Sequence, residues 1–129
     1  MADLLATGAL WLERQRIAYL ARPVLYRRQV GGSAQDLSLL ATVGATTFEV
    51  VTAGGVVERV ESRDYLIGLA ALSGLGYPQR GDRVIEESGG YRHTAEVSAP
   101  GREPHWRWSD PHRLCYRIHT KHLTTELLP

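Results

Sequence analysis

The sequence predicts a mainly β fold: a small β-barrel or sandwich of six to seven strands with an N-terminal α-helix. Three observations predict it. Helical spacing of apolar residues is confined to the segment before Pro23. Beyond it the chain breaks into short runs rich in β-branched residues. Glycine and proline punctuate those runs, most clearly at Gly89 and Gly90. The 129 residues fit one domain, divided as a helix over 1–22, strands over 23–122 and a tail over 123–129.

Taken in order, the first segment reads as a helix. Asp3 can cap it by accepting from free backbone N–H groups. Leu5, Ala9, Leu12 and Tyr19 recur near helical spacing, with Leu4 and Trp11 on the flank. Glu13, Arg14, Gln15 and Arg16 supply a polar sector, and Gly8 is the weak point. Pro23 ends the helix, since proline lacks a donor and disfavours helix in the residue before it. "VLYRRQV" then reads as a strand, "GGSAQ" as a turn or loop, and "LSLLATVG" and "TTFEVVT" as two further β-rich runs. In "VVERVESRDYLI", Val57, Val60 and Tyr65 break period two, which places a bulge or bend near Glu61 and Ser62. "GLAALSGLG" fits either a short helix or a small-residue loop. Pro78, Gly81 and Asp82 mark a turn before a strand over 83–87. Gly89 and Gly90 make a two-residue hairpin turn, and the return strand is Tyr91–Val97. "SAPGREP" is a loop. The last strand covers 114–121, with Leu114, Tyr116, Ile118 and Thr120 on one face and Cys115, Arg117, His119 and Lys121 on the other. "HLTTELLP" receives no assignment.

Composition narrows the function classes. Hydrophobic residues make up 43% and charged residues 22%, which is the balance of a folded chain rather than a disordered one. The formal net charge is +1, from 15 basic and 14 acidic residues, which argues against nucleic-acid binding driven by bulk charge. A single cysteine, Cys115, cannot form an internal disulfide, so a reducing cytosol is the default place of synthesis. No apolar run approaches the roughly 20 residues of a membrane helix. The opening segment lacks a basic start and a cleavage site, and reads as part of the mature chain.

The stretch "PHWRWSDPHRLCYRIHTKH" concentrates four of the five histidines, the only cysteine and two of the three tryptophans. Zinc is the first chemistry to weigh. His105 and His112 are separated by a loop and a proline, and His119 and His122 point to opposite faces of a strand, so all four read as surface or rim residues. Cys115 has no nucleophile signature and reads as a small apolar residue. Arg80-Gly81-Asp82 reads as a turn, with Asp82 accepting from the turn's own backbone. There is no phosphate-binding glycine loop, and the adjacent Glu86 and Glu87 face opposite ways on a strand. No catalytic residue, metal ligand or cofactor is assigned.

Contact chemistry fits better. Trp106 and Trp108 flank Arg107 and share one face of an extended segment, for packing or as interface anchors. Arg113 and Arg117 add planar donors nearby. Trp11 and Arg14 sit on a helix whose small residues Gly8 and Ala9 permit close approach. The candidate partner interface is therefore Trp11, Arg14, Trp106, Arg107, Trp108, Arg113 and Arg117, with Pro78, Gly81, Asp82, Asp110 and Pro111 as turn formers.

Several pieces in order carry a resemblance: "DLLATGALWLERQR", "VLYRR", "ATVGATTFEV", "RVESRDYLI", "PQRGDRVIE" and "PHWRWSDPHRLCYRIHTK". With them the chain resembles the small head–tail joining proteins of long-tailed bacteriophages, also called head-completion, stopper or connector proteins. The segment "GGSAQDLSLLA" departs from that pattern in length. The resemblance implies a structural virion protein with no catalytic residues, made in the bacterial host cytoplasm. It further implies a homo-oligomeric ring, hexameric, below the portal or adaptor protein. Such a ring retains or gates DNA, lets it pass without sequence-specific binding, and docks the tail terminator or tail-tube protein; no membrane is involved. The competing readings are a tail terminator or minor tail protein, a small metal-dependent hydrolase, and a monomeric binding module with a ligand pocket.

Overall fold

Helical spacing near the start of the chain produces α1, Leu4–Tyr19. The structure, a computed structural model, describes residues 4–129; Asp3, read as the helix cap, lies outside the described residues, as does the Tyr19 side chain. Seven strands follow: β1 Arg22–Val30, β2 Ser33–Val51, β3 Val57–Gly68, β4 Arg83–Ser88, β5 Tyr91–Val97, β6 Trp106–Trp108 and β7 Cys115–Leu127. A 3-10 turn, Leu69–Leu72, joins β3 towards β4. This is the mainly β class with one N-terminal helix that the sequence predicts.

All pairings are antiparallel and form one sheet in the order β3-β2-β1-β4-β5-β7-β6, with a further pairing of β3 to β7. Six strands thus close into a ring of hydrogen bonds, and β6 adds beside the first part of β7. Closure removes the free edges that an open sheet would expose. The apolar core lies inside it. Tyr26, Tyr65, Tyr116, Ile67 and Ile118 are fully buried with Val84 and Val97, and Leu72 packs among them.

The β4–β5 hairpin forms as the sequence predicts. Gly89 and Gly90 have φ of +61° and +83°, values that side chains rarely tolerate. Other elements differ from expectation, each for a physical reason. β2 is one strand of 19 residues rather than two runs, and Ser33 to Gln35 belong to it. Its Gly44 is no turn: a Cβ there would stand 3.4 Å from Arg117 Nη2, so the glycine gives the guanidinium room. Pro23 lies inside β1, near its start, before the residues paired on both sides. The unassigned tail is strand, because β7 runs on to Leu127 beside β5.

No bulge occurs near Glu61 and Ser62; β2 and β3 pair without interruption from Val51 and Val57 to Ala41 and Ile67. Period two breaks because Val57 and Val60 lie in solvent in the first part of β3, while its later part is buried on both faces. Ser62 and Asp64 are buried on one face, Tyr65 and Ile67 on the other. The bulge lies instead at Thr94 and Ala95 against β7. Beyond the ring, residues 43–51 of β2 and 57–62 of β3 pair only with each other and form a ribbon. Its tip carries exposed Val51, Val56 and Val57.

Candidate interaction surface

The apolar side of α1 stays in solvent. Leu4, Trp11 and Leu12 are 84%, 59% and 63% exposed. What faces the ring is part of the expected polar sector. Arg16 Nη1 donates to Thr42 Oγ1 at 2.6 Å and to the Leu66 carbonyl at 3.1 Å, and Glu13 accepts from Arg16 at 2.6 and 3.0 Å. A helix held by polar contacts leaves its apolar residues for something else. Between α1 and the turn carrying Asp110, Pro111 and His112 lies an open, mainly apolar cleft of about 730 Å³.

That turn is built by Asp110. Its carboxylate accepts from the backbone N–H of His112, Leu114 and Cys115, each at 3.0 Å. The turn puts Arg113 at φ +59°, a left-handed conformation rare for a side-chain-bearing residue. The Arg113 guanidinium then sits 6.0 Å from the centre of the Trp108 ring. Trp106 and Trp108 share one face, as their alternation requires. Trp108 stacks on Tyr116 at 4.9 Å, and Trp106 stacks on Tyr77 at 5.4 Å. Both tryptophans are half-buried against the core, while Arg14, Arg107 and Arg113 are exposed. The candidate interface residues Trp11, Arg14, Arg107 and Arg113 thus lie in solvent. Arg117 is different: Asp64 at 2.7 Å, Thr46 at 3.1 Å and the Ala45 carbonyl at 2.9 Å take its donors.

The turn at Pro78, Gly81 and Asp82 is structural. Gly81 has φ +89°, and Asp82 accepts from the Gln79 N–H at 2.9 Å. Asp82 also reaches into the ring, where it binds Arg28 at 3.0 and 2.8 Å and accepts from the Tyr26 hydroxyl. Arg28 in turn donates to the carbonyls of Leu75 and Tyr77. Burial, and after it Asp82, pushes the Tyr26 hydroxyl well above its ordinary range.

Two more buried carboxylates escaped the sequence reading. Glu86 accepts from Tyr65 Oη at 2.7 Å and from Arg63, with Arg22 at 3.3 Å. Burial and Glu86 together push the Tyr65 hydroxyl up to about 12. Asp64 meets His119 Nδ1 at 2.8 Å and accepts from Ser62 Oγ at 2.5 Å and from Thr46. Burial alone would raise the pKa of Asp64, but the hydrogen bonds from His119, Ser62 and Thr46 hold it well below the usual carboxylate range. His119 is therefore buried, not a rim residue. No local signal in the sequence marks Asp64 as buried, since its partners Thr46, Arg117 and His119 lie on other strands. Ser62 and Asp64 both approach His119 at Nδ1, so the imidazole does not bridge them as a nucleophile–base–acid relay requires.

His105 reaches the Pro78 carbonyl at 2.8 Å, and His122 reaches Thr125 at 2.7 Å. Among the described residues no three His, Cys, Asp or Glu side chains are placed to hold a metal ion. Cys115 is buried, and burial pushes its thiol up to about 12. No described helix is long and apolar enough to cross a membrane.

No curated protein matches the chain. A family model does: the one described as phage head-tail joining protein, over residues 2–127. That match covers nearly the whole chain, helix and closed sheet alike, and with it the chain belongs to the phage head-tail joining protein family.

Proposed function

We propose that the chain is a ring-forming subunit of the phage neck, seated below the portal or its adaptor. Membership of the family makes it a structural component of the virion that meets other head and tail proteins. In the finer reading it assembles as a homo-oligomeric ring, hexameric, and completes the head after packaging. It retains or gates the DNA and presents a docking surface to the tail terminator or tail-tube protein. DNA passes through the channel without sequence-specific binding, and a net charge of +1 suits that passage because strong positive charge would hold the polymer.

The observation that carries the reading is α1. A helix with Trp11 and Leu12 in solvent, joined to its own domain through Glu13 and Arg16, is built for contact with a neighbour. Trp11, Arg14, Trp106, Arg107, Trp108 and Arg113 form the surface used, with the tryptophans as anchors and the arginines as rim donors. Gold-labelled antibody against the chain, applied to tailed particles carrying it, tests the location. Label at the junction of head and tail is expected. Label spread over the capsid or confined to the tail tip overturns the reading.

A further inference from the structure

The interior of the ring opens to solvent where the ribbon leaves it. Arg63, opposite Thr120, is the last residue of β3 paired with β7 before the ribbon begins. Arg63, Tyr65, His93, Ala95 and His122 line a pocket of about 240 Å³ there. Tyr65 and Ala95 are buried core residues, whereas Arg63 and His122 are exposed, so the pocket has a closed floor and an open mouth. Sites for drug-sized ligands run to roughly 300–1,000 Å³, so this one suits a small ion.

Its walls are hydrogen-bond donors. Glu86 stands opposite His93 across β4 and β5, but its side chain is 1% exposed and its oxygens are taken. They accept from Tyr65 Oη at 2.7 Å, from Arg63 Nε at 3.1 Å and from Arg22 Nη1 at 3.3 Å. Two guanidiniums thus share one carboxylate, and one positive charge is left over. Among the described residues Arg63 Nη1 has no partner. The imidazoles add to this set. The ring centres of His93 and His122 lie 6.4 Å apart, and both rings meet one hydroxyl. His93 Nδ1 is 3.2 Å and His122 Nε2 is 2.7 Å from Thr125 Oγ1. A hydroxyl has one proton to give. When it donates to one neutral ring, the second nitrogen of that ring carries an N–H with no partner among the described residues. When both rings are charged, His93 Nε2 and His122 Nδ1 are both such donors.

The other charges nearby do not cancel this one. Arg92, Lys121 and Glu126 alternate to the other face of β5 and β7, where Arg92 pairs with Glu87 at 3.2 Å and Lys121 with Glu96 at 3.9 Å. Glu126 stands opposite Arg92, and the Tyr91 ring centre lies 6.4 Å from that of His93. A cation is a poor occupant, since Arg63 lines the pocket and Glu86 is turned to its arginines. We propose that this pocket is an oxyanion site for a phosphate group, with Arg63 Nη1 and the unpartnered ring nitrogens of His93 and His122 as its donors. Charge-assisted bonds of this kind are the strong ones. Binding tightens as the imidazoles gain protons, which histidines do between about pH 8 and pH 5. The site goes beyond the neck reading and does not rest on it.

Inorganic phosphate titrated into the full chain, with amide and histidine ring signals followed by NMR, tests it. A saturable shift of both rings and of the β5 and β7 amides beside them is expected. H93A/H122A is expected to weaken binding at least about tenfold, and circular dichroism checks that it folds. Sulfate, whose charge does not change over this range, gives a second arm. Wild type is expected to bind it at least about tenfold tighter at about pH 5.5 than at about pH 8. H93Q/H122Q keeps neutral donors and is expected to bind it equally at both. Arg14→Gln, which removes an exposed arginine from α1, is expected to change neither affinity. Phosphate that moves none of these signals, binding unchanged in H93A/H122A, or sulfate affinity in wild type that ignores pH overturns the inference. So does R14Q weakening binding as much as H93A/H122A, since general surface charge would then be the cause.

A short DNA duplex separates the two sources of a phosphate group. A duplex that moves the same ring signals assigns the site to the backbone of the nucleic acid. A duplex that leaves them in place while inorganic phosphate moves them assigns it to a free oxyanion. Ring signals moved by neither probe overturn the site.

Discussion

Replacing Asp82 with alanine strands a buried charge inside the closed sheet. The Arg28 and Asp82 side chains are 10% and 3% exposed, and two hydrogen bonds of 3.0 and 2.8 Å join them. Without the carboxylate, the guanidinium, the Tyr26 hydroxyl and the Gln79 N–H lose their shared acceptor where water hardly reaches. Breaking a buried pair from one side costs about 3–5 kcal/mol. That is a large part of the roughly 5–15 kcal/mol that keeps a domain folded. At roughly 4 °C per kcal/mol for a chain of this size, Tm falls by about 12–20 °C. Urea unfolding followed by tryptophan fluorescence reads the midpoint and the slope separately. Asp36→Ala is the control. The Arg27–Asp36 pair has similar bond lengths, 2.8 and 3.0 Å, but both side chains are about a third exposed, and no measurable loss is expected. Asp82→Asn, which keeps an acceptor for the Gln79 N–H, falls between the two. Equal midpoints for D82A and D36A would refute the reasoning.

Three other outcomes follow from the same structure. Asp64 and Glu86 both have folded pKa values lowered by their partners, so each contributes stability that is complete above the ordinary carboxylate range and is lost as pH falls through it. Denaturant midpoints are therefore expected to hold from neutral pH to about pH 5 and to drop below it; a midpoint flat down to pH 3 contradicts this. Cys115, buried and held protonated, is expected to ignore a thiol reagent at neutral pH in the folded chain and to react fully once unfolded; rapid labelling of the native protein contradicts the burial. Trp11→Asp is expected to leave the unfolding midpoint within about 0.5 kcal/mol of wild type, as for an exposed site; a large loss would mean that α1 packs on its own domain.

How far the sequence carried can be judged element by element. The β4–β5 hairpin was legible to the residue because two glycines with positive φ leave one solution for the turn. The class was legible because β-branched runs between glycines have few other homes. The length of β2 was not, since Gly44 in the sequence looks like a break and only the fold brings Arg117 over it. The orientation of α1 stayed open for a related reason. Periodicity shows which residues share a face, but not whether that face meets the chain's own core or another molecule. The three buried carboxylates Asp64, Asp82 and Glu86 find their arginines on other strands, up to 64 positions away. Nothing local announces such pairs. The aromatic strand was half legible: Trp106 and Trp108 do share a face, but their partners Tyr77 and Tyr116 come from elsewhere in the chain.

The most direct measurement is mass photometry of the portal–adaptor complex from the same genome, with and without this chain. Addition of several 14.3 kDa subunits to each complex, in one fixed number, is the result the neck role predicts. A complex whose mass does not change when the chain is present in excess contradicts it.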